Sequence, residues 1–285
     1  MVGKTDVVLM VNSECNIACK HCYLPYQGAR DPQETVELVG ELKKQGYGVI
    51  IAGSETLLDP RYLKAYQQAG QKTLLTNGLL LMQKPELFEE IRVHGIEELL
   101  ISAHFYISNQ LNSVTEETVT EVVRKTNERG FRAGLETTVT KENYLHGEEM
   151  CNRAYEMGAK GIKFLRYVVS GRAKDDSKKG LSEEEKKVFV ASILETRKRY
   201  GKDQLEIRLH GNFGPRQGSK GEQLSQENDY CYAGKELLAV SPDNKVYGCP
   251  FLMDQQIGEL VDGNIIITAD LNNGRRDCCL TEVIL

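Results

Sequence analysis

Apolar and polar positions alternate along the chain in two recurring patterns. Short apolar runs, typical of buried strands, are separated by stretches in which apolar residues recur every three or four positions, typical of helices that face a core. The short runs predict strands at 7–11, 49–52, 73–76, 99–103, 133–139, 162–167 and 205–209. The stretches between them predict helices at 33–45, 61–69, 85–93, 116–129, 142–157 and 183–200, the last opening with a capping box at Ser182 and Glu185.

Repeated strand–helix units predict an α/β fold with a parallel sheet. About six repeats are too few for a closed eight-unit barrel, and they fit a partial (β/α)6 TIM barrel. In such barrels the active site lies at the carboxyl ends of the strands. Three cysteines directly follow the first predicted strand and therefore fall at that edge.

The pattern changes near residue 210, where we predict the boundary between a domain at 1–210 and a smaller one at 211–285. In the second domain, apolar runs at 237–241 and 245–249 flank Pro242-Asp243-Asn244, which predicts a β-hairpin. The polar segment 170–180, with the sequence SGRAKDDSKKG, predicts a loop.

Composition and charge limit the classes of function. Hydrophobic residues make up 40% and charged residues 27% of the 285 residues, as in ordinary globular proteins. The formal net charge of −5 gives no global basic field that would attract nucleic acid or an anionic membrane. No run approaches the ~18 apolar residues of a membrane span, and the apolar run at 7–11 is too short for a signal peptide. We therefore expect a cytoplasmic protein.

The chain has eight cysteines, which is many for a protein in a reducing compartment. There they favour metal or redox chemistry over disulfides. Three lie near the amino terminus and four near the carboxyl terminus, with Cys151 alone inside a predicted helix, where we expect it to be buried.

Cys15, Cys19 and Cys22 form the first group, with three thiols in eight residues. Three thiolates can hold three irons of a cubane cluster and leave the fourth iron open to a chelating ligand. The alternative is a zinc site, which would need four tetrahedral ligands and could include His21. The position of the cysteines after the first strand of a β/α repeat favours the iron–sulfur interpretation.

The segment from Cys15 to Tyr23 reads Cys-Asn-Ile-Ala-Cys-Lys-His-Cys-Tyr and resembles the signature of radical S-adenosylmethionine (SAM) enzymes, close to the branch that modifies peptides. Further motifs follow in the order the family expects, at Ala52-Gly53-Ser54-Glu55-Thr56, Thr76-Asn77-Gly78 and Ile101-Ser102-Ala103-His104. The first of these is similar to the family's Gly-Gly-Glu-Pro motif, with Ser54 in place of the second Gly and Thr56 in place of Pro. We expect SAM binding to survive both changes because the contacts there come largely from the main chain.

The resemblance implies a [4Fe–4S] cluster on Cys15, Cys19 and Cys22, with SAM bound to its open iron. It also implies an electron donor such as flavodoxin or ferredoxin, and a 5′-deoxyadenosyl radical that removes a hydrogen atom from the substrate. The predicted SAM-binding residues are His21, Gly53, Ser54, Glu55, Asn77, Ser102 and Thr138.

The second cysteine group resembles the twitch module, a shortened form of the SPASM domain, which implies an auxiliary iron–sulfur cluster. Its predicted ligands are Cys231, Cys249, Cys278 and Cys279. The last two are adjacent, unlike the family pattern, and adjacent side chains tend to diverge. If one of them is not a ligand, it could donate a hydrogen atom to a substrate radical, which would make the enzyme an epimerase. A structural zinc knuckle on the same thiols is the alternative.

Strand alternation puts polar side chains on the inner face of the barrel. Glu136, Arg166 and His104 are the predicted substrate-facing or catalytic residues, although Glu136 and Arg166 could instead pair with each other and His104 could be a core histidine. We predict an oxidoreductase or epimerase that acts on a peptide, in the maturation of a natural product by crosslinking or epimerisation. The alternative is a sugar or aminocyclitol dehydrogenase or epimerase, and a zinc-bound nucleic-acid module is a remote third, against which the acidic balance counts.

Overall fold

The computed structural model describes residues 5–25, 27–107, 114–201, 203–213, 233–234 and 236–269. The strands are β1 Asp6–Met10, β2 Gly48–Ala52, β3 Thr73–Thr76, β4 Glu98–Ser102, β5 Arg132–Val139, β6 Gly161–Arg166, β7 Glu206–Leu209, β8 Leu237–Val240, β9 Lys245–Tyr247, β10 Gln256–Val261 and β11 Asn264–Ile267. The α-helices are α1 Pro32–Lys44, α2 Leu63–Ala69, α3 Leu79–Gln83, α4 Leu87–Val93, α5 Glu116–Glu128, α6 Gly147–Glu156 and α7 Glu183–Arg197. Short 3-10 helices lie at Thr56–Leu58, Pro60–Tyr62, Tyr144–His146, Gly171–Lys179 and Gly211–Phe213.

The strands form two sheets. One is five-stranded, in the order β3-β4-β5-β6-β7, and its neighbouring strands are parallel. The other is six-stranded, in the order β11-β10-β9-β8-β1-β2. In it β1 runs parallel to both β2 and β8, and the tail strands from β8 to β11 are antiparallel. The predicted α/β class and its parallel strand–helix repeats are confirmed.

A side chain joins the two sheets where β2 approaches β3. The amide of Gln71 accepts a hydrogen bond from the Ile51 main-chain nitrogen at 2.8 Å and donates to the carbonyl oxygens of Ile51 at 3.2 Å and Thr73 at 2.9 Å. Gln71 thereby takes the place of ladder hydrogen bonds between the two strands.

The outer face of the strands packs against the helices. Leu9, Ile51, Leu99, Leu135 and Phe164 are at most 2% exposed and belong to one continuous apolar core. Burying each such side chain contributes about 1.5–3 kcal/mol. Because strand side chains alternate, the residues between them face the interior of the partial barrel. The outward row supplies the core and also holds the buried Thr76 and Thr137, whereas Glu98, Arg132, Glu136 and Lys163 lie in the inner row.

Hydrogen bonds from nearby side chains determine where helix α7 begins. The Ser182 hydroxyl accepts a hydrogen bond from the Glu185 main chain at 3.2 Å, and the Glu185 carboxylate accepts one from the Ser182 nitrogen at 2.7 Å. The predicted capping box is therefore confirmed. The helix predicted at 142–157 begins as a 3-10 turn and becomes α-helical only at Gly147. The sequence did not predict α3, because Leu79–Gln83 is too short for an apolar period to be visible.

The predicted hairpin forms between β8 and β9, and Asn244 has a φ of 66° in its turn. Arg30, on the loop after β1, donates to the Asn244 side chain at 2.6 Å and to the Ser241 carbonyl at 2.8 Å. The hairpin is thus tied to the loop that carries the first cysteines, and β8 extends the sheet of β1. The domain boundary near residue 210 stays a prediction.

Candidate active site

The cysteine loop, residues 11–31, leaves the carboxyl end of β1 and returns to α1. Its two ends are close together, since the Ser13 nitrogen donates to the Gly28 carbonyl at 2.8 Å and the Ser13 hydroxyl accepts from the Gln27 nitrogen at 2.7 Å. Asp31 then caps α1 by accepting hydrogen bonds from the first turn. The three cysteines lie between these anchors and are each half-buried.

The turn after β2 fits closely against the start of this loop. The Asn12 amide donates to the Glu55 carbonyl at 3.1 Å and accepts from the Ser54 nitrogen at 3.1 Å. A Cβ on Gly53 would lie 2.5 Å from the Asn12 Oδ1, so glycine is required at that position. The Ser54 hydroxyl is buried and has no hydrogen-bond partner among the described residues. A buried polar group without a partner is a candidate for binding a ligand.

Glu55 is fully buried, and its carboxylate joins the ends of β2 and β3. It accepts hydrogen bonds from the Thr76 hydroxyl at 3.0 Å, the Asn77 nitrogen at 2.9 Å and the Leu57 nitrogen at 3.3 Å. Burial raises the pKa of Glu55, while these hydrogen bonds lower it. The carboxylate that we predicted to contact SAM is therefore engaged with the protein itself, and its contact with SAM stays a prediction.

The end of β3 reaches the cysteine loop. The Asn77 amide nitrogen donates to the Asn16 side chain at 2.7 Å and lies 3.7 Å from the Cys15 sulfur. Its oxygen accepts from the Leu79 nitrogen at 3.0 Å and so begins α3. Gly78 next to it has a φ of 80°, which favours glycine. The predicted residue Asn77 thus lies beside a predicted ligand.

The ends of β4 and β5 meet at His104. Its Nδ1 accepts a hydrogen bond from the Thr138 nitrogen at 3.3 Å, and its ring lies edge-to-face against His21 with centroids 4.1 Å apart. Burial, and then the neighbouring His21, hold the pKa of His104 well below its usual range, so the ring is neutral and carries its proton on Nε2. Asn143 bonds the carbonyls of Phe105 and Thr138, both at 3.0 Å, and fixes these strand ends.

Lower on the inner face, Glu136 forms an ion pair with Lys163 at 2.8 Å across β5 and β6. The sequence suggested Arg166 as the partner, but the register sets Glu136 opposite Lys163 and Arg166 opposite Val139. Lys163 is a residue that sequence reasoning missed. Its signal was its position one residue before Phe164, since neighbouring strand residues face opposite sides and Phe164 belongs to the core.

Comparison with protein families decides what this arrangement belongs to. A family model described as the Radical SAM superfamily matches residues 10–154, just over half of the 285-residue chain. The chain belongs to the radical SAM superfamily. The match includes the cysteine loop and the strand ends from β1 to β5.

Solved structures of other proteins share this fold at low sequence identity. Streptococcus suis SuiB bound to the precursor peptide SuiA has a TM-score of 0.67 and 17% identity, over 87% of this chain and 60% of SuiB. The protein anSMEcpe with bound AdoMet has a TM-score of 0.64 and 15% identity, over 91% of this chain and 78% of its own. The chain therefore spans about three-fifths of SuiB. A comparison with curated protein sequences yields no match. The partial barrel predicted from the sequence is confirmed.

The donor set of the loop fits the iron–sulfur cluster that the superfamily implies. Its thiols are close enough that burial, then the Glu55 carboxylate and the thiols of Cys19 and Cys22, raise the pKa of Cys15, with one opposing main-chain hydrogen bond. Thiolates are the ligands that iron–sulfur clusters take. Within the described ranges, no three His, Cys, Asp or Glu side chains converge on one point where a single metal ion could bind, whereas in a cubane cluster each thiolate binds a separate iron. The five described cysteines form no disulfide.

The second cysteine group is described only at Cys249, which is 4% exposed and packs with Phe251, Leu252 and Tyr23. Cys231, Cys278 and Cys279 lie outside the described residues, so the auxiliary cluster stays a prediction. Cys151 is buried in α6, and burial raises its pKa to about 12, as expected for an inert thiol. Among the described residues, no helix is both long and apolar enough to cross a membrane.

Proposed function

We propose that this radical SAM protein holds a [4Fe–4S] cluster on Cys15, Cys19 and Cys22 and uses SAM to remove a hydrogen atom from a peptide. One observation carries the proposal: the cysteine loop lies across the strand ends, with Asn77 from β3 beside Cys15 and His104 from β4 against His21. Groups from distant parts of the chain thereby meet at the edge where parallel barrels carry their chemistry.

When bound, the cluster and SAM supply the 5′-deoxyadenosyl radical; the protein supplies position and shelter. The turn at Gly53 and Ser54 is the proposed cradle for SAM, because Gly53 allows close approach and the buried Ser54 hydroxyl has no partner among the described residues. Asn12 and Glu55 hold this turn from behind through their hydrogen bonds to neighbouring strand ends. His21, Asn77, Ser102 and Thr138 are the remaining proposed SAM-binding residues.

The substrate side of the site is proposed to be the inner face of β4, β5 and β6. Glu136 and Lys163 supply one charge of each sign there, and both are partly exposed. His104 is proposed at its upper rim. Arg166 lies in the strand row of Phe164 and opposite Val139, which both face the core, so its predicted substrate role stays a prediction. Paired charges on the inner face suit a substrate with polar main-chain groups. SuiB is described with its precursor peptide SuiA, and anSMEcpe with a Cp18Cys peptide, which supports a peptide substrate.

An auxiliary cluster on Cys231, Cys249, Cys278 and Cys279 belongs to the same proposal. Cys249 supports it through its place at the end of the tail hairpin, packed against Tyr23 next to the last loop cysteine. Single Cys278→Ala and Cys279→Ala variants test the alternative role of hydrogen donor. Loss of epimerised product with full iron content would support a donor, and loss of iron would defeat that idea at the position.

The first experiment measures iron, sulfide and SAM cleavage of anaerobically purified protein with a chemical reductant, then with flavodoxin or ferredoxin as the proposed donor. About eight irons are expected for two cubane clusters, falling to about four in a Cys15/Cys19/Cys22→Ala variant that no longer cleaves SAM. Cys151→Ala is the matched control, since this buried cysteine lies in α6 away from the site. Zinc in place of iron after reconstitution would contradict the proposal.

The second experiment tests the substrate class by isotope transfer. Peptide and small-molecule fractions are prepared from fully deuterated cells and incubated separately with enzyme and SAM. Deuterium in 5′-deoxyadenosine from the peptide fraction alone is the expected result. Transfer only from the small-molecule fraction would favour the sugar or aminocyclitol alternative instead.

A further inference from the structure

The strands of the partial barrel leave one side of it open. Among the described strands, β7 pairs with β6 alone and β1 lies between β2 and β8, so no strand joins β7 to β1. The tail hairpin leads from β9 into a tight turn, in which the Leu252 nitrogen donates to the Cys249 carbonyl at 3.0 Å. This turn carries Phe251, which is 9% exposed. Its ring is therefore enclosed by other groups, and these lie on both edges of the opening.

The Phe251 ring contacts one aromatic residue on each edge of the opening. On the side of β1 it meets Tyr23 of the cysteine loop, with ring centroids 4.8 Å apart and an interplanar angle of 69°. On the side of β7 it meets His210, the residue after that strand, with ring centroids 5.4 Å apart and an angle of 79°. Both are edge-to-face contacts, an arrangement that aromatic pairs prefer. One side chain of the tail thus spans the gap at the carboxyl end of the barrel, where the candidate site is.

The apolar cluster around Phe251 reaches the inner face of the barrel. Leu165 and Val168 pack against this cluster and are themselves only half-buried, which leaves part of their surface for a ligand. Leu165 lies opposite Thr138 and two residues after Lys163, so its side chain belongs to the inner row. These three apolar residues, Phe251, Leu165 and Val168, are called the apolar wall below. The wall adjoins the proposed substrate side just above its ion pair.

The apolar wall differs from the rest of the upper inner row, which is polar. Ser102 lies opposite Glu136 there, and Glu136 lies opposite Lys163. A polar substrate group placed against the wall would lose its water without gaining a hydrogen bond, which is unfavourable. An apolar side chain in the same place would be removed from water, which is the dominant favourable term in most association. The wall therefore favours a substrate with an apolar side chain at this point.

We propose that the apolar wall determines the specificity of the site and binds an apolar side chain of the peptide, so that the hydrogen atom is removed from an apolar residue. This inference rests on the proposed function, because it needs SAM cleavage and a peptide substrate. Glu136 and Lys163 then contact the polar main chain of the same peptide, while Leu165 and Phe251 contact the side chain.

The first test identifies the residue type that loses the hydrogen atom. Peptide fractions are prepared from cells fed one deuterated amino acid at a time: leucine, isoleucine, valine, phenylalanine or methionine as apolar labels, and lysine, arginine or threonine as polar labels. Each fraction is incubated with the enzyme and SAM. Deuterium leaves a carbon–deuterium bond of the peptide and appears in the methyl group of 5′-deoxyadenosine. We expect transfer from an apolar label. Transfer from the fully deuterated peptide fraction but from no apolar label would overturn the inference.

The second test measures deuterium transferred per SAM cleaved in the wild type and in Leu165→Ala, Phe251→Leu and Phe213→Leu. Leu165→Ala and Phe251→Leu are each expected to lower this ratio about tenfold at low peptide concentration, as for a hydrophobic pocket that loses methylene groups. The fall should be smaller at high peptide concentration, because the wall acts on binding. Phe213→Leu is the matched control, since Phe213 is 4% exposed and stacks on Phe189 of α7 in the core. It should keep the wild-type ratio.

A fall in Leu165→Ala or Phe251→Leu beyond that in Phe213→Leu supports the inference, and wild-type ratios in both, or an equal fall in Phe213→Leu, would overturn it. If Phe251→Leu loses iron or fails to fold, Leu165→Ala decides alone, because Leu165 is only half-buried. Wild-type protein without a [4Fe–4S] cluster or without SAM cleavage fails the proposed function and this inference with it. An intact cluster with transfer from other peptide residues fails this inference alone.

Discussion

The inner face of the parallel sheet has two ends that differ in how their charges are arranged. At the amino ends of the strands lies the lower network, made of Glu98, Arg132, Glu206 and Arg208. Glu98 accepts from Arg132 at 3.1 Å and Arg208 at 2.9 Å, and Arg132 pairs with Glu206 at 2.6 Å. At the carboxyl ends lies the upper set, made of Ser102, His104, Glu136, Thr138 and Lys163, in which one ion pair joins two strands.

The lower network fits into the sheet because two neighbouring positions, Gly134 and Gly161, carry no side chain. A Cβ on Gly134 would lie 3.2 Å from the Glu98 carboxylate, and a Cβ on Gly161 would lie 3.1 Å from the Arg132 guanidinium. Two glycines therefore make room for charges that satisfy one another. The contrast teaches that charge inside this barrel has two uses. The lower network joins the amino ends of β4, β5 and β7, whereas the upper set lies toward the carboxyl ends, where the candidate site is.

The largest effect is expected from a variant that disrupts the turn at Gly78, after the carboxyl end of β3. Gly78→Ala forces a left-handed alanine, at about 1–2 kcal/mol, and puts a Cβ 2.7 Å from the Val122 side chain. Together with the overpacking cost, we expect a loss of about 3 kcal/mol in the free energy of unfolding, measured by urea denaturation.

Gly70→Ala is the matched control, because Gly70 has a φ of 79° but no atom within 4 Å of an added Cβ. It should cost only about 1 kcal/mol, the conformational part alone. Equal losses in the two variants would show that the clash of the added Cβ with the Val122 side chain costs nothing.

The next largest effect is expected from removing the carboxylate of Glu98, which lies at the centre of the lower network. Glu98→Ala leaves the Arg132 and Arg208 guanidiniums without their shared carboxylate. We expect a loss of about 2 kcal/mol in the free energy of unfolding. This is less than the cost of breaking a fully buried ion pair, because both arginines are partly exposed. SAM cleavage per folded molecule should not change.

Glu97→Ala is the neighbouring control, since the Glu97 carboxylate is 71% exposed and, among the described residues, forms an ion pair with the exposed Lys72. It should change stability by less than about 0.5 kcal/mol. If Glu98→Ala lowered SAM cleavage as much as stability, the division between the two ends would be wrong.

A smaller effect is expected in the upper set. Glu136→Gln should lower hydrogen-atom transfer from substrate about tenfold, or about 1.4 kcal/mol, while stability falls by less than about 1 kcal/mol. The amide keeps the shape but loses the charge that faces the site. A Glu136→Gln/Lys163→Gln double variant should recover stability without recovering turnover. Recovery of both would assign the pair a purely structural role.

The smallest effect concerns Glu55 and pH. Burial raises the folded-state pKa of Glu55 above the ordinary 4.5, so the folded protein binds the proton more readily than the unfolded chain between the two values. Stability from this group therefore falls as pH rises through that window. The free energy of unfolding of the wild type, relative to that of Glu55→Gln, should therefore fall as pH rises. The opposite slope would mean that the hydrogen bonds from Thr76, Asn77 and Leu57 outweigh burial.

Features set by residues close together in the chain were predicted from the sequence, whereas contacts between distant residues were not. Each strand from β1 to β7 lies within one residue of its predicted limits, because buried strands appear in the sequence as local apolar runs. The bridge that Gln71 forms between the two sheets could not be predicted, because the sequence does not show whether a glutamine in a turn faces water or binds two strands. The tail strands β10 and β11 were also missed, because three of the four residues of β11 are exposed and its pattern is weak.

The candidate site divides in the same way. The cysteine loop and the glycine turn were visible because a few residue types must be adjacent there. The partner of Glu136 was not, because the register of β5 on β6 decides whether Lys163 or Arg166 faces it. The packing of the segment after β6 on the cysteine loop was not visible either, because Ala173 and Cys22, whose main chains are hydrogen bonded, lie far apart in the sequence.

The sequence by itself determined the order of strands β1 to β9 and of the helices other than α3, the capping of α7, the cysteine loop at the first strand end and the family resemblance. These depend on periodicity and on short motifs, which act within one turn or one strand. Only the tertiary structure decided that β8 joins β1, that Glu55 is buried against Thr76, and that the segment after β6 packs on the cysteine loop. Such contacts depend on which surfaces pack together, and packing is set by the whole chain rather than by any segment of it.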